Sequence, residues 1–149
     1  MPVNFRIARA EDLPLIVAMI ADDTVSAART GDLGDEHRAA FDVIDADPNN
    51  ELIVAELDDE VVGTMQLTYI PGISRRGALR MQIEAVRVAS DLRGQGLGGK
   101  MMEWALDRGR ARGCALVQLT TDKSRKDAHR FYDSLGFTAS HEGYKLALS

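Results

Sequence analysis

Arg93-Gly94-Gln95-Gly96-Leu97-Gly98 is the stretch whose reading decides this chain. It follows an extended apolar run, Gln82-Ile83-Glu84-Ala85-Val86-Arg87-Val88, and it opens an amphipathic helix pattern. A helix start offers unpaired backbone N–H groups and a partial positive charge. Glycines there remove the side chains that would hold an anion away. A strand, a glycine turn and a helix in this order therefore predict a cradle for a phosphate or pyrophosphate.

Three phosphate motifs compete for the stretch. The P-loop is excluded, because no Gly-Lys-Ser/Thr ends the loop. Gly94, Gly96 and Gly99 spell G-x-G-x-x-G, and Asp122 lies about 20 residues on, as a dinucleotide fingerprint requires. Two features count against that reading. Residues 89–93 separate the strand from the glycines, and about 50 residues follow Gly99, too few for the strand–helix units of a dinucleotide domain. The third motif is Arg-x-x-Gly-x-Gly, satisfied by Arg93, Gly96 and Gly98. It resembles the signature of the GCN5-related N-acetyltransferase (GNAT) superfamily, which binds acetyl-coenzyme A.

The resemblance covers nearly the whole chain and is most specific over residues 83–137. Ala128-His129-Arg130-Phe131-Tyr132-Asp133-Ser134-Leu135-Gly136-Phe137 is similar to the family's A-x-x-F-Y-x-x-L-G-F segment. Gly143–Leu148 is similar to its last strand, and Phe5–Ala10 with Asp12 and Pro14 to its opening. The family often has Asn three residues before the alanine of the F-Y segment; here that position is Arg125. The resemblance implies acetyl-CoA as co-substrate, held by Arg93, Gly94, Gln95, Gly96, Leu97, Gly98 and Gly99, with Arg125 in the place of the Asn. Backbone N–H groups near Val86, Arg87 and Val88 would bind the coenzyme's amide arm and polarise the acetyl carbonyl.

The chemistry needs few other groups. An acetyl thioester is already activated, but a lysine-like amine, with a pKa of ~10.4, is nearly all protonated at neutral pH. A general base must take that proton, directly or through water. Glu84 is the candidate, because it interrupts an apolar strand that should run into the cleft; the alternative is that it pairs with Arg80 or another surface arginine. Strict strand alternation puts Glu84, Val86 and Val88 on one face and Ile83, Ala85 and Arg87 on the other. By resemblance the Tyr132 hydroxyl reaches the coenzyme sulfur. A phenol (pKa ~10) is a weak acid toward a thiolate (pKa ~8.5), so it would stabilise the leaving sulfur by hydrogen bonding. Phe131 reads as a core aromatic, and His129 and Arg130 as residues of a solvated helix face. His37 and His141 have no partners at metal-ligand spacing, so no metal site is expected.

Bulk properties agree with a small enzyme. A chain of 149 residues predicts one domain spanning 1–149. The one cysteine, Cys114, excludes an internal disulfide and suits a reducing cytoplasm; between Gly113 and Ala115 it reads as a small core residue. No apolar run approaches the ~20 residues needed to cross a membrane. The N-terminus lacks the apolar segment of a signal peptide. Scattered basic residues in a chain of net charge −5 argue against nucleic acid. Residues 1–70 carry 4 basic and 15 acidic groups, a net of −11, and residues 71–149 carry 14 and 8, a net of +6. Asp22, Asp23, Asp32, Asp35, Glu36, Asp42 and Asp45 would form an acidic rim that attracts a cationic amine acceptor, unless they are simply solvated helix faces.

The element pattern is α+β. Strands are expected at Val3–Ala8, Glu51–Leu57, Val61–Ile70 and Leu79–Val88, and Arg112-Gly113-Cys114 leads into the apolar stretch Ala115–Thr120. Asp58-Asp59-Glu60 reads as a hairpin turn. Helices are expected at Leu13–Ala21, capped by Asp12, at Glu36–Ala46, from Leu97 to a stop at Gly113, and from a Ser124-x-x-Asp127 capping box through Leu135. Residues 22–35 read as a polar link. The resemblance implies the GNAT-like fold, a central mixed, mostly antiparallel sheet flanked by about four helices. Dimers are common in that family, so a homodimer is open. An acetyl-CoA-dependent N-acetyltransferase is the expected activity, and a non-catalytic acyl-CoA sensor of the same fold is the alternative.

Overall fold

A computed structural model of the chain describes residues 2–22 and 24–149. They fall into two compact units, residues 1–118 and 119–149.

The strands are β1 (Asn4–Ile7), β2 (Asn50–Leu57), β3 (Glu60–Pro71) and β4 (Leu79–Val88), all in the first unit, and β5 (Leu116–Leu119), whose first three residues close that unit. They make one sheet in the order β1-β2-β3-β4-β5. The first three neighbouring pairs are antiparallel. β5 runs alongside β4 in the same direction, because Ala115 N–H donates to Leu79 O at 2.8 Å and the Gln118 amide donates to Gln82 at 3.0 Å. The sheet is therefore mixed, and the fold is the expected α+β architecture. The Asp58-Asp59 hairpin forms as read. Both residues take positive φ, 50° and 64°, the left-handed pair that a two-residue turn between twisted strands requires.

Before β5 come α1 (Leu13–Ile20), α2 (Thr24–Thr30), α3 (Asp35–Ala46), the single turn α4 (Ser74–Gly77) and α5 (Leu97–Ala111). The sheet separates two apolar layers. One face carries Ile53, Met65, Leu67, Met81 and Ile83, all nearly inaccessible, with Met101, Met102 and Ala105 of α5 buried as well. Phe5 stacks on Trp104 of α5 at 5.0 Å, and Met101 packs against Gly63. On the other face Leu52 and Val54 pack with Leu13 and Ile16 of α1 and Phe41 of α3. Burying each such side chain contributes roughly 1.5–3 kcal/mol.

Several expectations are corrected. The 22–35 link contains α2, so the acidic segment is partly helical; Asp23 lies outside the described residues. Asp12 does not cap α1 with its side chain. Its carboxylate instead accepts the Arg9 N–H at 2.7 Å and grips Arg6 at 2.7 and 3.0 Å, which holds its pKa below the usual carboxylate value. Cys114 is only half-buried, and desolvation pushes its thiol pKa up, as suits an inert residue. Its N–H donates to Gly109 O while Gly113 N–H donates to Arg110 O, closing α5 with the paired bonds of a Schellman end.

The second unit contains α6 (Lys126–Ser134). The Ser124–Asp127 capping box does not form. The N-cap is Arg125, without a side-chain cap, and the Asp122 carboxylate takes the Ser124 N–H and hydroxyl at 2.9 and 2.6 Å. Asp preceding a turn competes in this way for nearby donors. Residues 143–148 form no strand, and Tyr144, Leu146 and Leu148 are exposed.

Candidate active site

The end of β4 and the start of α5 bring most of the expected residues into one unit. β4 does not keep strict alternation. Gln66 pairs with Glu84 and Thr64 with Arg87, so two steps on β3 correspond to three on β4. The extra residue is accommodated at Ala85, whose φ is +53°. A non-glycine residue in this region is strained by about 1–3 kcal/mol, and such strain concentrates at functional sites. The bulge reverses the facing of everything after it. Cross-strand partners share a face, so Arg87 lies on the same face as Glu84, and Val88, opposite Gly63, lies on the α5 face with Ile83. The expected grouping of Glu84, Val86 and Val88 against Ile83, Ala85 and Arg87 is overturned.

Arg87 turns inward toward α2. Its guanidinium donates to Ser26 Oγ at 2.8 Å and to Val86 O at 2.9 Å, with Ser26 buried. The bulge thus frees backbone groups from the β3 ladder, and Arg87 ties that backbone to a helix of the opposite layer. Ser26 carried no signal in the sequence, because it becomes relevant only once the bulge aims Arg87 at it.

Glu84 is exposed. Among the described residues its hydrogen-bond partner is the Gln82 amide, at 3.5 Å, and it makes no ion pair, so the alternative pairing with Arg80 does not occur. An exposed carboxylate beside a bulge, without a neutralising cation, is available to accept a proton or bind an ammonium.

The glycine turn has the geometry of an anion cradle. Gly94 and Gly96 both take φ of +81°, which L-residues with side chains rarely adopt. Gly96 is the N-cap of α5 and supplies no side chain to its first-turn N–H groups. A Cβ at Gly94, Gly96 or Gly99 would meet nothing within 4 Å, so open space fronts the uncapped helix end. Gln95 is exposed and Leu97 is buried beneath the turn, anchoring it to the core. Arg93 pairs with Asp22 at 3.1 Å, both about half exposed. Such a pair is worth about 0–1 kcal/mol, so it orients Arg93 without withdrawing it from an incoming phosphate. These groups fit a coenzyme pyrophosphate: two left-handed glycines, an uncapped dipole end and an arginine.

Tyr132 and Arg125 belong to the second unit. Tyr132 sits edge-on to Phe131 (5.2 Å) and Phe137 (5.8 Å) in a small aromatic cluster, and Arg125 heads α6. His129 Nε2 donates to Asp122 O (2.9 Å), and Arg130 pairs with Asp127. His37 is a structural link: its Nδ1 accepts the Gly34 N–H and its Nε2 meets Thr30 O, both at 3.0 Å, joining the end of α2 to the start of α3. Among the described residues no cluster of metal-ligating side chains occurs, and no helix is long and apolar enough to cross a membrane.

Comparison with known proteins bears on this geometry. The family model for the acetyltransferase (GNAT) family matches residues 18–137. An aminoalkylphosphonate N-acetyltransferase from Salmonella typhimurium is 33% identical over 102 residues, 68% of this chain and 66% of that enzyme. An uncharacterized N-acetyltransferase from Bacillus subtilis is 34% identical over 70 residues, 46% of this chain and 49% of that protein. The chain therefore matches just under two-thirds and about half of these relatives' lengths. A crystal structure described as a transcriptional regulator from Bacillus halodurans superposes with a TM-score of 0.94 at 46% identity, covering 99% of this chain and 100% of that one. Glucosamine-6-phosphate N-acetyltransferase from Arabidopsis thaliana shares the fold, with a TM-score of 0.80 at 21% identity over the full length of both. With the glycine turn, the bulged strand and the family match in agreement, this chain belongs to the acetyltransferase (GNAT) family.

Proposed function

We propose that the protein transfers an acetyl group from acetyl-CoA to a primary amine by direct attack on the thioester. The observation that carries the proposal is the join of β4 to α5: a strained bulge followed by an uncapped, glycine-fronted helix end. The pyrophosphate would lie on the N–H groups of residues 94–99, with Arg93 leaving Asp22 for it. The acetyl carbonyl would lie against the backbone of Val86–Val88, whose N–H groups would stabilise the oxyanion. Glu84 takes one proton from the acceptor ammonium, the nitrogen forms the new bond to the carbonyl carbon, and as the C–S bond breaks the nitrogen's second proton passes to the leaving thiolate or to solvent. Tyr132 is assigned the leaving thiolate, as a hydrogen-bond donor, and Arg125 a coenzyme contact; both assignments rest on the family resemblance. On this reading residues 1–149 make a single N-acetyltransferase domain that acts in the cytoplasm as a monomer or homodimer without metal, nucleic acid or membrane.

The expectation of a cationic acceptor loses part of its support. Asp22 is engaged by Arg93, and Asp35 and Glu36 occupy the first turn of α3, where they complement the helix dipole. These acids have structural work to do. The Salmonella relative, by its name, acts on amines that carry a phosphonate.

A second reading, an acyl-CoA-binding sensor, draws on the description of the Bacillus halodurans structure as a transcriptional regulator. Coenzyme A release from acetyl-CoA, measured across a panel of amines, separates the two. Amine-dependent release is expected. Tight coenzyme binding without release for any amine would favour the sensor.

A further inference from the structure

The sheet face that carries Glu84 is not apolar throughout. Asn50, Thr68 and Gln82 are direct cross-strand partners on β2, β3 and β4, and Gln66 is the partner of Glu84. All four are half-buried, as is Gln118 on β5. They form two hydrogen-bonded groups that sheet register sets side by side, one across β2 and β3 and one across β4 and β5. Thr68 Oγ1 donates to Asn50 Oδ1 at 2.8 Å and the Gln66 amide donates to the same oxygen at 3.2 Å. Gln118 donates to Gln82, and Gln82 in turn points its amide at Glu84. Four strands thus build a floor of uncharged amides and one hydroxyl, contiguous by register, that ends on the Glu84 carboxylate, which makes no ion pair.

The contrast with the opposite face is sharp. There the residues between these positions, Leu67, Tyr69, Met81 and Ile83, are almost wholly inaccessible. On the floor side α1 and α3 cover the Leu52–Val54 end with apolar side chains, whereas Gln66, Thr68, Gln82 and Gln118 keep partial access to solvent. Glutamine and asparagine are poor strand formers. A half-open patch made of them offers both donors and acceptors at fixed spacing, about 7 Å between alternate residues of one strand. Its carboxylates stand at its ends, Glu84 at one and Asp47, which accepts from the Asn50 amide at 2.9 Å, at the other; the middle is uncharged and lacks the apolar surface that would hold an alkyl chain.

We infer that this floor is the acceptor subsite, and that it selects a compact primary amine whose tail carries hydrogen-bonding oxygens, either hydroxyl or phosphonyl. The inference rests on the acetyltransferase reading above. The ammonium lies at Glu84, and the tail oxygens lie over Gln82, Thr68 and Gln66. Gln82 has a second task, since its amide also orients the Glu84 carboxylate.

The test compares ethanolamine, 2-aminoethylphosphonate, propylamine and spermidine as acceptors, for the wild type and for Thr68→Val and Gln66→Met. Both positions are half-buried, so these near-isosteric changes keep the fold. For the wild type, kcat/KM should be at least tenfold higher for one of the two oxygen-bearing amines than for propylamine, and which one leads identifies hydroxyl or phosphonyl oxygens as the preferred tail. Each variant should lower that preferred value about tenfold and leave propylamine within about twofold. Equal loss for all four amines, no loss for any, or a wild-type preference for propylamine or spermidine overturns the subsite while leaving the acetyltransferase reading in place. Absence of acetyl transfer to every amine overturns both.

Discussion

The two ends of α5 are built to opposite specifications. At its start Gly96 caps the helix without a side chain, a Cβ there would meet nothing within 4 Å, and Arg93 stands in an exposed ion pair with Asp22. At its other end everything is satisfied. Arg108 forks onto Glu51, donating from Nε at 2.8 Å, while Tyr69 donates to the same carboxylate at 2.6 Å. Arg112 lies 3.9 Å over the Tyr69 ring, Arg108 lies over Trp104, and Gly113 closes the helix. Burial pushes the Glu51 carboxyl pKa up, but the hydrogen bonds from Arg108 and Tyr69 outweigh this and leave it below its ordinary value; the same burial and the Glu51 carboxylate raise that of Tyr69. One helix thus separates two tasks. Its C-terminal end stabilises the fold, and its N-terminal end, which has no side-chain cap, is the proposed coenzyme cradle.

The sharpest way to break this comparison is Gly96→Glu. It forces a side chain into left-handed backbone at a cost of about 1–2 kcal/mol and puts a negative charge where the pyrophosphate should lie. Calorimetry should find acetyl-CoA binding lost, at least 100-fold weaker, with a cooperative thermal transition retained. Near-wild-type affinity would remove the cradle.

Next in size is Glu84→Gln. It keeps the shape and removes the base, so kcat at neutral pH should fall about 100-fold with coenzyme affinity within twofold of the wild type. An unchanged pH–rate profile would move proton removal to another group or to solvent water.

The opposite end is tested by Glu51→Gln. Breaking a buried ion pair costs about 3–5 kcal/mol, and the partial exposure of Arg108 lowers the expectation to about 2–3 kcal/mol. Urea denaturation should show that loss, with coenzyme affinity retained in the folded fraction. The pH dependence has a fixed sign. The Glu51 pKa is depressed in the folded state, so its stabilisation is present above the ordinary carboxylate pKa of ~4.3 and disappears as pH falls through the folded value. The stability gap between wild type and variant should therefore narrow below about pH 4.3. A gap that widens there would contradict the assignment.

The smallest effect is expected from Tyr132→Phe, which keeps the aromatic cluster with Phe131 and Phe137 and removes the hydroxyl. Loss of one hydrogen bond to a leaving thiolate should lower kcat about tenfold, since a bond to a charged group is worth about 1.5–3 kcal/mol. Wild-type turnover would return Tyr132 to a packing role.

Much was legible in the residues themselves, because local chemistry decided it. The glycine turn, the Asp58-Asp59 hairpin, the span Leu79–Val88 and the stop at Gly113 follow from backbone conformations that few residues adopt and from apolar periodicity, and each stands where the sequence put it. The family could be named from the same short motifs. Tertiary structure alone decided the rest. Nothing in Glu84-Ala85-Val86 announces a bulge, because an alanine with positive φ is disfavoured locally and exists only where the β3 register and the α2 contact through Arg87 hold it there. That single inserted residue moved Arg87 to the face of Glu84 and reversed the expected alternation. The polar floor was equally hidden: Asn50, Thr68, Gln82 and Gln118 lie on four different strands, and only sheet register makes neighbours of them. The lock on Glu51 has the same origin, since Arg108 is 57 residues away along the chain. Short-range conformational preference can be read from neighbouring residues, but register and cross-strand contact depend on how distant segments align, which no local pattern specifies.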